Sequence, residues 1–202
     1  GNEALITSGA AKGARGVVTG KSGRFSDQVI IHFDMKTRHK IAVDDQILIK
    51  SEGVGLTALD CPNVAFKSLS PNLFDALPKK MEDGVLNMGV CGIVPPHFVG
   101  AGAGLTSEGG SLHIQSTDRR ELAKHGLDAL RLGDLVAIQD TDSRYNHGYL
   151  RGAVSIGIIG QTDGPRAGYG PGMTIVMTAP AGQLGSFGAP GTNIADILGL
   201  RA

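Results

Sequence analysis

The stretch that decides the fold covers residues 133–174 and reads GDLVAIQDTDSRYNHGYLRGAVSIGIIGQTDGPRAGYGPGMT. Two apolar runs rich in β-branched residues, 135–138 and 153–159, are typical of buried strands. A polar loop, residues 140–149, lies between them, and a glycine-rich loop, residues 161–172, follows them. Polar groups on loops that a rigid sheet supports are a common setting for function. We therefore predict that these two loops rim the functional pocket.

The candidate site residues are the acidic, basic and phenolic side chains of these loops. The predicted catalytic residues are Asp140, Asp142, His147 and Asp163. The predicted substrate-binding residues are Arg144, Tyr145, Arg166, Tyr169 and, from a separate glycine-rich segment, His97. One aspartate with a raised pKa would be the general base, the arginines would hold an anionic substrate, and a tyrosine would stabilise an oxyanion. Amide or small-ring hydrolysis, or an isomerisation, would suit this set; the alternative is that the arginines pair with the aspartates on the surface.

A divalent metal is the second chemical hypothesis for the first loop. Asp140 and Asp142 are two residues apart, so an extended chain would project them to one side, and His147 follows five residues later. Carboxylate oxygens and an imidazole nitrogen together can ligate a divalent ion. The alternative is that all three are turn residues without a ligand.

Composition sets broad limits on the class of protein. The 202 residues are enough for one large domain or two small ones, and 41% hydrophobic with 19% charged residues is ordinary for a globular chain. The formal net charge of +0 gives no support to nucleic-acid binding. No apolar run approaches the roughly 18 residues of a membrane span. The 31 glycines predict many short strands joined by turns.

Two further features bear on compartment and completeness. Cys61 and Cys91 are too few for a disulfide framework, so we predict free thiols in a cytoplasmic protein. The chain begins Gly-Asn-Glu without a methionine, and its first residues already resemble the approach to a strand. We therefore expect that an N-terminal segment is missing.

The predicted fold class is mainly β with a few short helices (α+β). We assign residues 1–52 to a small SH3-like barrel, 53–82 to a connector with a short helix capped by Ser70, and 83–202 to a larger β-barrel-like domain. A second helix is predicted to begin at Asp118 and to end near His125.

An internal echo links the two predicted barrels. Residues 41–49 parallel residues 130–138, and both read as a turn with an acidic residue that leads into an apolar strand. A carboxylate in such a turn can accept hydrogen bonds from backbone N–H groups. We expect this structural role for Asp44 and Asp134 rather than catalysis.

The glycine-rich segment at residues 97–104 has two interpretations. Glycines let backbone N–H groups approach a phosphate or carboxylate. The segment lacks the lysine and hydroxyl residue that end a P-loop, so we favour a flexible turn over the mouth of the barrel.

The N-terminal pattern resembles a KOW-type SH3-like barrel, on the residues Leu5-Ile6, Ser8-Gly9, Lys12-Gly13 and Gly16-Val17-Val18. That resemblance implies contact with ribosomal RNA through a turn. Such contact would require Lys12, Arg15, Lys21 and Arg24 to form one basic face.

The whole chain resembles the bacterial and archaeal family called domain of unknown function 4438. The residues that carry the resemblance are Gly1–Ala4, Lys12-Gly13, residues 133–140, residues 152–157 and Gly170-Pro171-Gly172. The resemblance implies a longer parent chain, a β-rich fold and self-association, but no known reaction. Residues 161–163 and 168–170 depart from the family pattern, which has His-Ser-Asp and Gly-His-Gly there.

Three functions remain open from the sequence. The first is small-molecule binding or turnover, of a hydrolase-like kind, in the pocket between the two loops. The second is an RNA- or ribosome-associated module, which the neutral charge makes unlikely. The third is a non-catalytic structural oligomer whose loops form subunit contacts. We expect a small-molecule ligand, a homo-oligomer and no membrane partner.

Overall fold

The structure is a computed structural model that describes residues 1–23, 28–106, 111–115, 118–162, 164 and 168–201. The described strands are β1 (Glu3–Ile6), β2 (Arg15–Ser22), β3 (Gln28–His32), β4 (Ile47–Ile49), β5 (Ala65–Phe66), β6 (Lys79–Glu82), β7 (Val85–Val90), β8 (Gly92–Val94), β9 (Leu112–His113), β10 (Leu135–Asp142), β11 (Gly148–Gln161), β12 (Gly172–Ala179) and β13 (Leu184–Gly188). The described helices are α1 (Met35–Arg38), α2 (Pro71–Ala76), α3 (Arg119–Lys124), α4 (Ile194–Ile197) and a 3-10 helix (Pro96–Phe98). Strands hold 42% and helices 12% of the residues, so the predicted mainly β class is confirmed.

The decisive stretch forms the middle of a six-stranded sheet that curls into a half-barrel. Its strand order is β5-β12-β11-β10-β8, and β9 pairs with β12 as well. β10 and β11 are antiparallel neighbours, whereas β8 runs parallel to β10. The two predicted apolar strands are thus adjacent, and the sheet carries both predicted loops at its ends.

Each face of this sheet packs against its own hydrophobic core. On β10, Leu135 and Ala137 belong to one buried cluster, whereas Val136 and Ile138 belong to the other. All four are at most 1% exposed. Consecutive strand residues point to opposite faces, so a continuous apolar run is what a sheet buried on both faces requires. The same pattern predicts burial on both faces for residues 152–159. This is confirmed for residues 153–159, among which Val154 is half-buried, whereas Gly152 is exposed.

The N-terminal residues form a separate four-stranded antiparallel sheet in the order β3-β2-β1-β4. Its small core contains Ala4, Ile6, Ala11 and Phe33. It joins the central sheet where the Lys21 backbone N–H donates to Oγ1 of Thr174 over 2.8 Å. The SH3-like interpretation of this sheet stays a prediction.

The third sheet, in the order β13-β7-β6, differs from the sequence pattern at two places. The apolar pattern at residues 85–94 predicts one strand, but the chain divides at Cys91: β7 pairs with β6 and β13, and β8 joins the central sheet. The Gly/Pro-rich composition after Ala179 predicts no further strand, yet this segment contains β13, which pairs in parallel with β7. Leu184 and Phe187 are the only large apolar residues of β13, and Gly185 and Gly188 weaken its strand pattern.

The internal echo proves to be one turn used twice. In the first copy Oδ2 of Asp45 accepts from the Ala42 N–H over 2.8 Å, and in the second Oδ2 of Asp134 accepts from the Arg131 N–H over 2.8 Å. The residue before each carboxylate has a left-handed backbone, with φ of 73° at Asp44 and 88° at Gly133. The structural role is confirmed for Asp134, but in the first copy it falls to Asp45 instead of Asp44.

The predicted helix starts are confirmed by their caps. Ser70 accepts from the Leu73 N–H at the start of α2, and Asp118 accepts from the N–H groups of Arg120 and Glu121 at the start of α3. α1, which Asp34 caps, was not predicted. Within the described ranges, no helix combines the length and the apolar character that a membrane crossing demands.

Candidate functional site

The first predicted loop is largely strand. β10 continues through Asp142, β11 begins at Gly148, and Asp142 pairs with Gly148. A register shift between Gln139 and Thr141 lets the strand pass Asp140, whose φ is 50°. The loop itself is therefore shorter than predicted, and a β-bulge at Asp140 re-aims the side chains beyond it.

The left-handed backbone at Asp140 explains why the predicted metal set does not assemble. The alternation that would place Asp140 and Asp142 on one side requires extended backbone, and the φ of 50° at Asp140 breaks it. Asp140 instead accepts from the Gly152 N–H over 2.6 Å. Within the described part of the chain, the ligand atoms of Asp140, Asp142 and His147 do not form a group that could hold a metal ion.

Asp142 forms an ion pair with Arg144 instead of serving as a free base. Nε and Nη2 of Arg144 donate to its carboxylate over 2.8–3.1 Å, and the Arg144 backbone N–H donates over 3.0 Å. These hydrogen bonds lower the pKa of the Asp142 carboxyl below its ordinary value. Asp142 is therefore not the aspartate with a raised pKa that was expected among the candidates. The Arg144 guanidinium, which was expected to bind an anionic substrate, is already paired with it.

Replacing Asp142 with asparagine tests this ion pair. Because the folded-state pKa is depressed, the carboxylate stabilises the fold above its unfolded value near 3.8 and loses this effect as pH falls through the folded value. At pH 7 we expect the variant to be less stable by about 0.5–1 kcal/mol, since the pair is partly exposed. Urea unfolding of both proteins at pH 7 and at pH 3 should show the difference shrink in acid. A difference of equal size at both pH values would contradict the assignment, and the exposed Asp128→Asn serves as control.

His147 lies at the end of a buried chain of hydroxyl groups. Its Nδ1 is 3.0 Å from Oγ of Ser143, which is 3.1 Å from Oγ of Ser155, which is 2.8 Å from Oγ1 of Thr178. All four side chains are at most 2% exposed. The Ser155 hydroxyl donates to Oγ of Ser143. The Ser143 hydroxyl can in turn donate to or accept from Nδ1 of His147, so it can satisfy either tautomer of the ring.

His147 and Tyr169 meet in a pocket of about 210 Å³. Its described lining residues are Ser22, Gly23, Ala101, Gly102, Leu105, Ser111, His113, His147, Gln161 and Tyr169. They come from β2, the glycine-rich segment, β9, the end of β11 and both predicted loops. The structure thus brings two of the predicted site residues together, at a place assembled from distant parts of the chain.

Hydrogen bonds fix the polar wall of this pocket. Oε1 of Gln161 accepts from Oγ of Ser111 over 3.0 Å and lies 3.1 Å from Nε2 of His113. The amide nitrogen of Gln161, Nε2, donates to Oγ of Ser22. Nδ1 of His113 is 3.3 Å from the carbonyl oxygen of Ala101, and the His113 and Tyr169 rings are 5.6 Å apart. These hydrogen bonds set the orientation of the polar side chains in the wall before any ligand arrives.

The glycine-rich segment closes one side of the pocket. The N–H groups of Gly100, Ala101 and Gly104 donate to the carbonyl oxygens of His113, Gly168 and His147. A Cβ on Gly102, whose φ is +99°, would lie 2.4 Å from the carbonyl oxygen of Ser111. These N–H groups are engaged, so the segment is a fixed wall and neither a flexible turn nor an anion cradle.

The other predicted site residues lie elsewhere. Tyr145 is 82% exposed at the tip of its loop. His97 does not line the pocket; it lies beside His125, with 6.1 Å between the ring centroids. Asp163 and Arg166 lie outside the described residues. Their roles stay predictions.

Sequence reasoning missed His113 and Gln161 as site residues. The sequence carried a signal for His113, because it lies between the apolar residues Leu112 and Ile114, and in a strand alternation places it on the opposite face. Gln161 carried a signal as well, since positions 161 and 169 are where the chain departs from the pattern of the family that it resembles. Both of these positions line the pocket.

A larger cavity of about 460 Å³ lies between the N-terminal sheet and the central sheet. Its lining combines apolar side chains, such as Ile49 and Val176, with polar ones, such as Thr19, Glu52 and Ser70. Among its described lining residues there is no histidine, so the acid–base chemistry that imidazoles offer favours the smaller pocket.

The predicted basic face is weakened by ion pairs. Nη1 of Arg15 and Nζ of Lys50 bind Glu3 over 2.6 and 3.1 Å. Arg24 lies outside the described residues. Lys12 is exposed on its turn. Of the four cations proposed for RNA contact, Arg15 is thus already paired with the carboxylate of Glu3.

Fold and site define a mainly β protein with a half-barrel sheet and a small polar pocket at its edge. The chain belongs to the family described as domain of unknown function DUF4438: the N-terminal part of that family matches residues 1–75 and the C-terminal part residues 76–198. The solved structure titled "Crystal structure of TM1086" is similar, with a TM-score of 0.90 and 38% sequence identity over 97% of this chain and 69% of that one. No curated protein matches.

Proposed function

We propose that the protein binds a small, neutral, polar molecule in the pocket between His113, His147, Gln161 and Tyr169. The observation that supports this proposal is the convergence of these four side chains, from separate segments, on one concavity. A few placed polar groups in a preformed hollow are what gives a ligand site its specificity.

The size of the pocket limits the ligand. Its volume of about 210 Å³ is below the roughly 300 Å³ at which sites for drug-sized molecules begin. We therefore infer a metabolite of about ten non-hydrogen atoms or fewer. A nucleotide or a peptide side chain with its flanking backbone would exceed this space.

The charge of the described part of the wall favours a neutral ligand. Among the described lining residues there is no aspartate, glutamate, lysine or arginine. The wall offers imidazole, amide and hydroxyl groups, which can donate to carbonyl oxygens and accept from hydroxyl or amide hydrogens. Amides, alcohols and aldehydes fit this pattern.

Turnover of such a ligand would use the imidazoles. The hydroxyl chain behind His147 can adjust when the ring takes up or releases a proton, as a general acid–base group requires. This arrangement suits the isomerase or hydrolase class of reaction. Ser143 itself is 0% exposed, so its hydroxyl supports the ring and does not act as a nucleophile.

The test is a binding screen with matched tyrosine variants. Neutral amides, alcohols and aldehydes would be screened by ligand-observed NMR, and the best hit titrated into wild type, Tyr169→Phe, Gln161→Leu and Tyr145→Phe. Each pocket variant should weaken binding by about tenfold, the cost of one lost hydrogen bond to the ligand, while Tyr145→Phe should bind as wild type.

The tyrosine pair makes the same chemical change inside and outside the pocket. Equal weakening in Tyr169→Phe and Tyr145→Phe would point to a general effect of losing a phenol. Hits that bind all four proteins with equal affinity would show that the ligand does not bind in this pocket. Melting temperatures of the variants would show whether Gln161→Leu, which also loses its contacts with Ser22 and Ser111, still folds.

A further inference from the structure

A second cluster of ligand-forming side chains lies outside the pocket. His97, Glu121 and His125 each offer one nitrogen or oxygen atom, and these three atoms lie within 4.8 Å of one another. Glu121 is on α3 and His125 caps its C-terminal end, four residues later and on the same face, while His97 is on the 3-10 helix. From this geometry we propose that His97, Glu121 and His125 bind a Zn²⁺ ion.

The donor set fits zinc better than the hard cations. Two imidazoles and one carboxylate are ligands that Zn²⁺ accepts, with bonds of about 2.0–2.2 Å, and three protein ligands leave a fourth position for water. Mg²⁺ and Ca²⁺ prefer oxygen ligands alone. A tetrahedral ion places its ligand atoms about 3.3 Å apart. Side-chain rotations that move each ligand atom by about 1 Å would therefore bring the three atoms to bonding distance from one ion.

Both elements that carry the ligands are anchored in one core. Phe98, which is 4% exposed, packs against both imidazoles, with ring centroids 4.5 Å from His97 and 5.5 Å from His125. Leu122 of α3 is 1% exposed and belongs to the same buried cluster as Phe98. The backbone positions of the three ligands are thus fixed without a metal, which lowers the entropic cost of binding.

The carboxylate is already oriented for this role. Nζ of Lys124 donates to Oε2 of Glu121 over 2.7 Å, whereas Oε1 faces Nε2 of His125 over 3.6 Å. Oε1 is therefore the atom directed towards the imidazole of His125, while Lys124 holds the other carboxylate oxygen, Oε2, in place.

Binding would link this cluster to the pocket wall. The 3-10 helix that carries His97 leads directly into the segment that holds Ala101 and Gly102, both of which line the pocket. An ion that joins the 3-10 helix to α3 would hold the start of that segment. The proposal stands without the pocket, because none of the three ligands lines it.

Isothermal titration of the metal-free protein with ZnCl₂ tests the proposal. Wild type should bind one ion per chain, and His97→Ala and His125→Ala should each weaken binding by about tenfold or more. His39→Ala removes an exposed histidine far along the sequence and should leave binding unchanged. MgCl₂ should give no comparable heat.

Zinc binding that is the same in wild type, His97→Ala and His125→Ala would overturn the proposal. Zinc binding that is lost in His113→Ala but retained in His97→Ala and His125→Ala would also overturn it, because the ion would then lie in the pocket. The three ligands are partly or fully exposed, so the variants are expected to fold. Melting temperatures measured in EDTA should agree with wild type and would confirm this.

Discussion

Replacing Asp134 with alanine is expected to lower the free energy of unfolding by about 3 kcal/mol, since buried donors lose their acceptor. Asp134 is 3% exposed. Its Oδ1 accepts from Nδ2 of Asn193 over 2.7 Å, and its Oδ2 accepts from the Arg131 N–H over 2.8 Å. The carboxylate therefore ties the turn before β10 to the cap of α4.

The repeated turn supplies the control for this prediction. Asp45→Ala deletes the equivalent bond to the Ala42 N–H in an exposed setting, where water can replace the carboxylate, and should cost about 0.5–1 kcal/mol. Chemical denaturation of both variants measures the two losses. Equal losses would show that burial does not distinguish the two copies of the turn.

Alanine at Ile138 or at Leu135 is expected to destabilise the protein by about 2–5 kcal/mol in each case. Both side chains are 0% exposed, but they face different cores on opposite sides of the central sheet. Each truncation removes apolar contacts and leaves a cavity that close-packed neighbours fill only in part.

The comparison of the two positions tests the two-core arrangement. Leu132→Ala, at a side chain that is 53% exposed just before the strand, is the matched control and should change stability by less than about 0.5 kcal/mol. Urea unfolding is the measurement. A large loss at Leu135 with a negligible one at Ile138, or the reverse, would mean that one face of the sheet is not buried as described.

The sequence contained enough to predict the scaffold. Residues 135–138 form a continuous apolar run, which is typical of a strand buried on both faces, and the caps at Ser70 and Asp118 lie directly before their helices. These signals are local, so they can be recognised in the sequence without knowledge of the tertiary structure.

The site depended on features that are not local. The left-handed backbone at Asp140 breaks the alternation on which the predicted Asp140–Asp142 pairing relied, and the neighbouring residues carry no signal for it. The pairing of His113 with Gln161 joins residues 48 positions apart. Glu121 and His125 did carry a helical i, i+4 signal, but only the fold brings His97 beside them.

The most direct test of the pocket is to measure how the NMR signals of the histidine rings change when the best neutral hit of the screen binds. Long-range ¹H–¹⁵N spectra of the histidine rings would be recorded during the titration. The account predicts that the His113 and His147 resonances shift with one saturating curve, while those of His32 and His39 stay fixed. Saturable binding that leaves both the His113 and His147 rings unperturbed would contradict it.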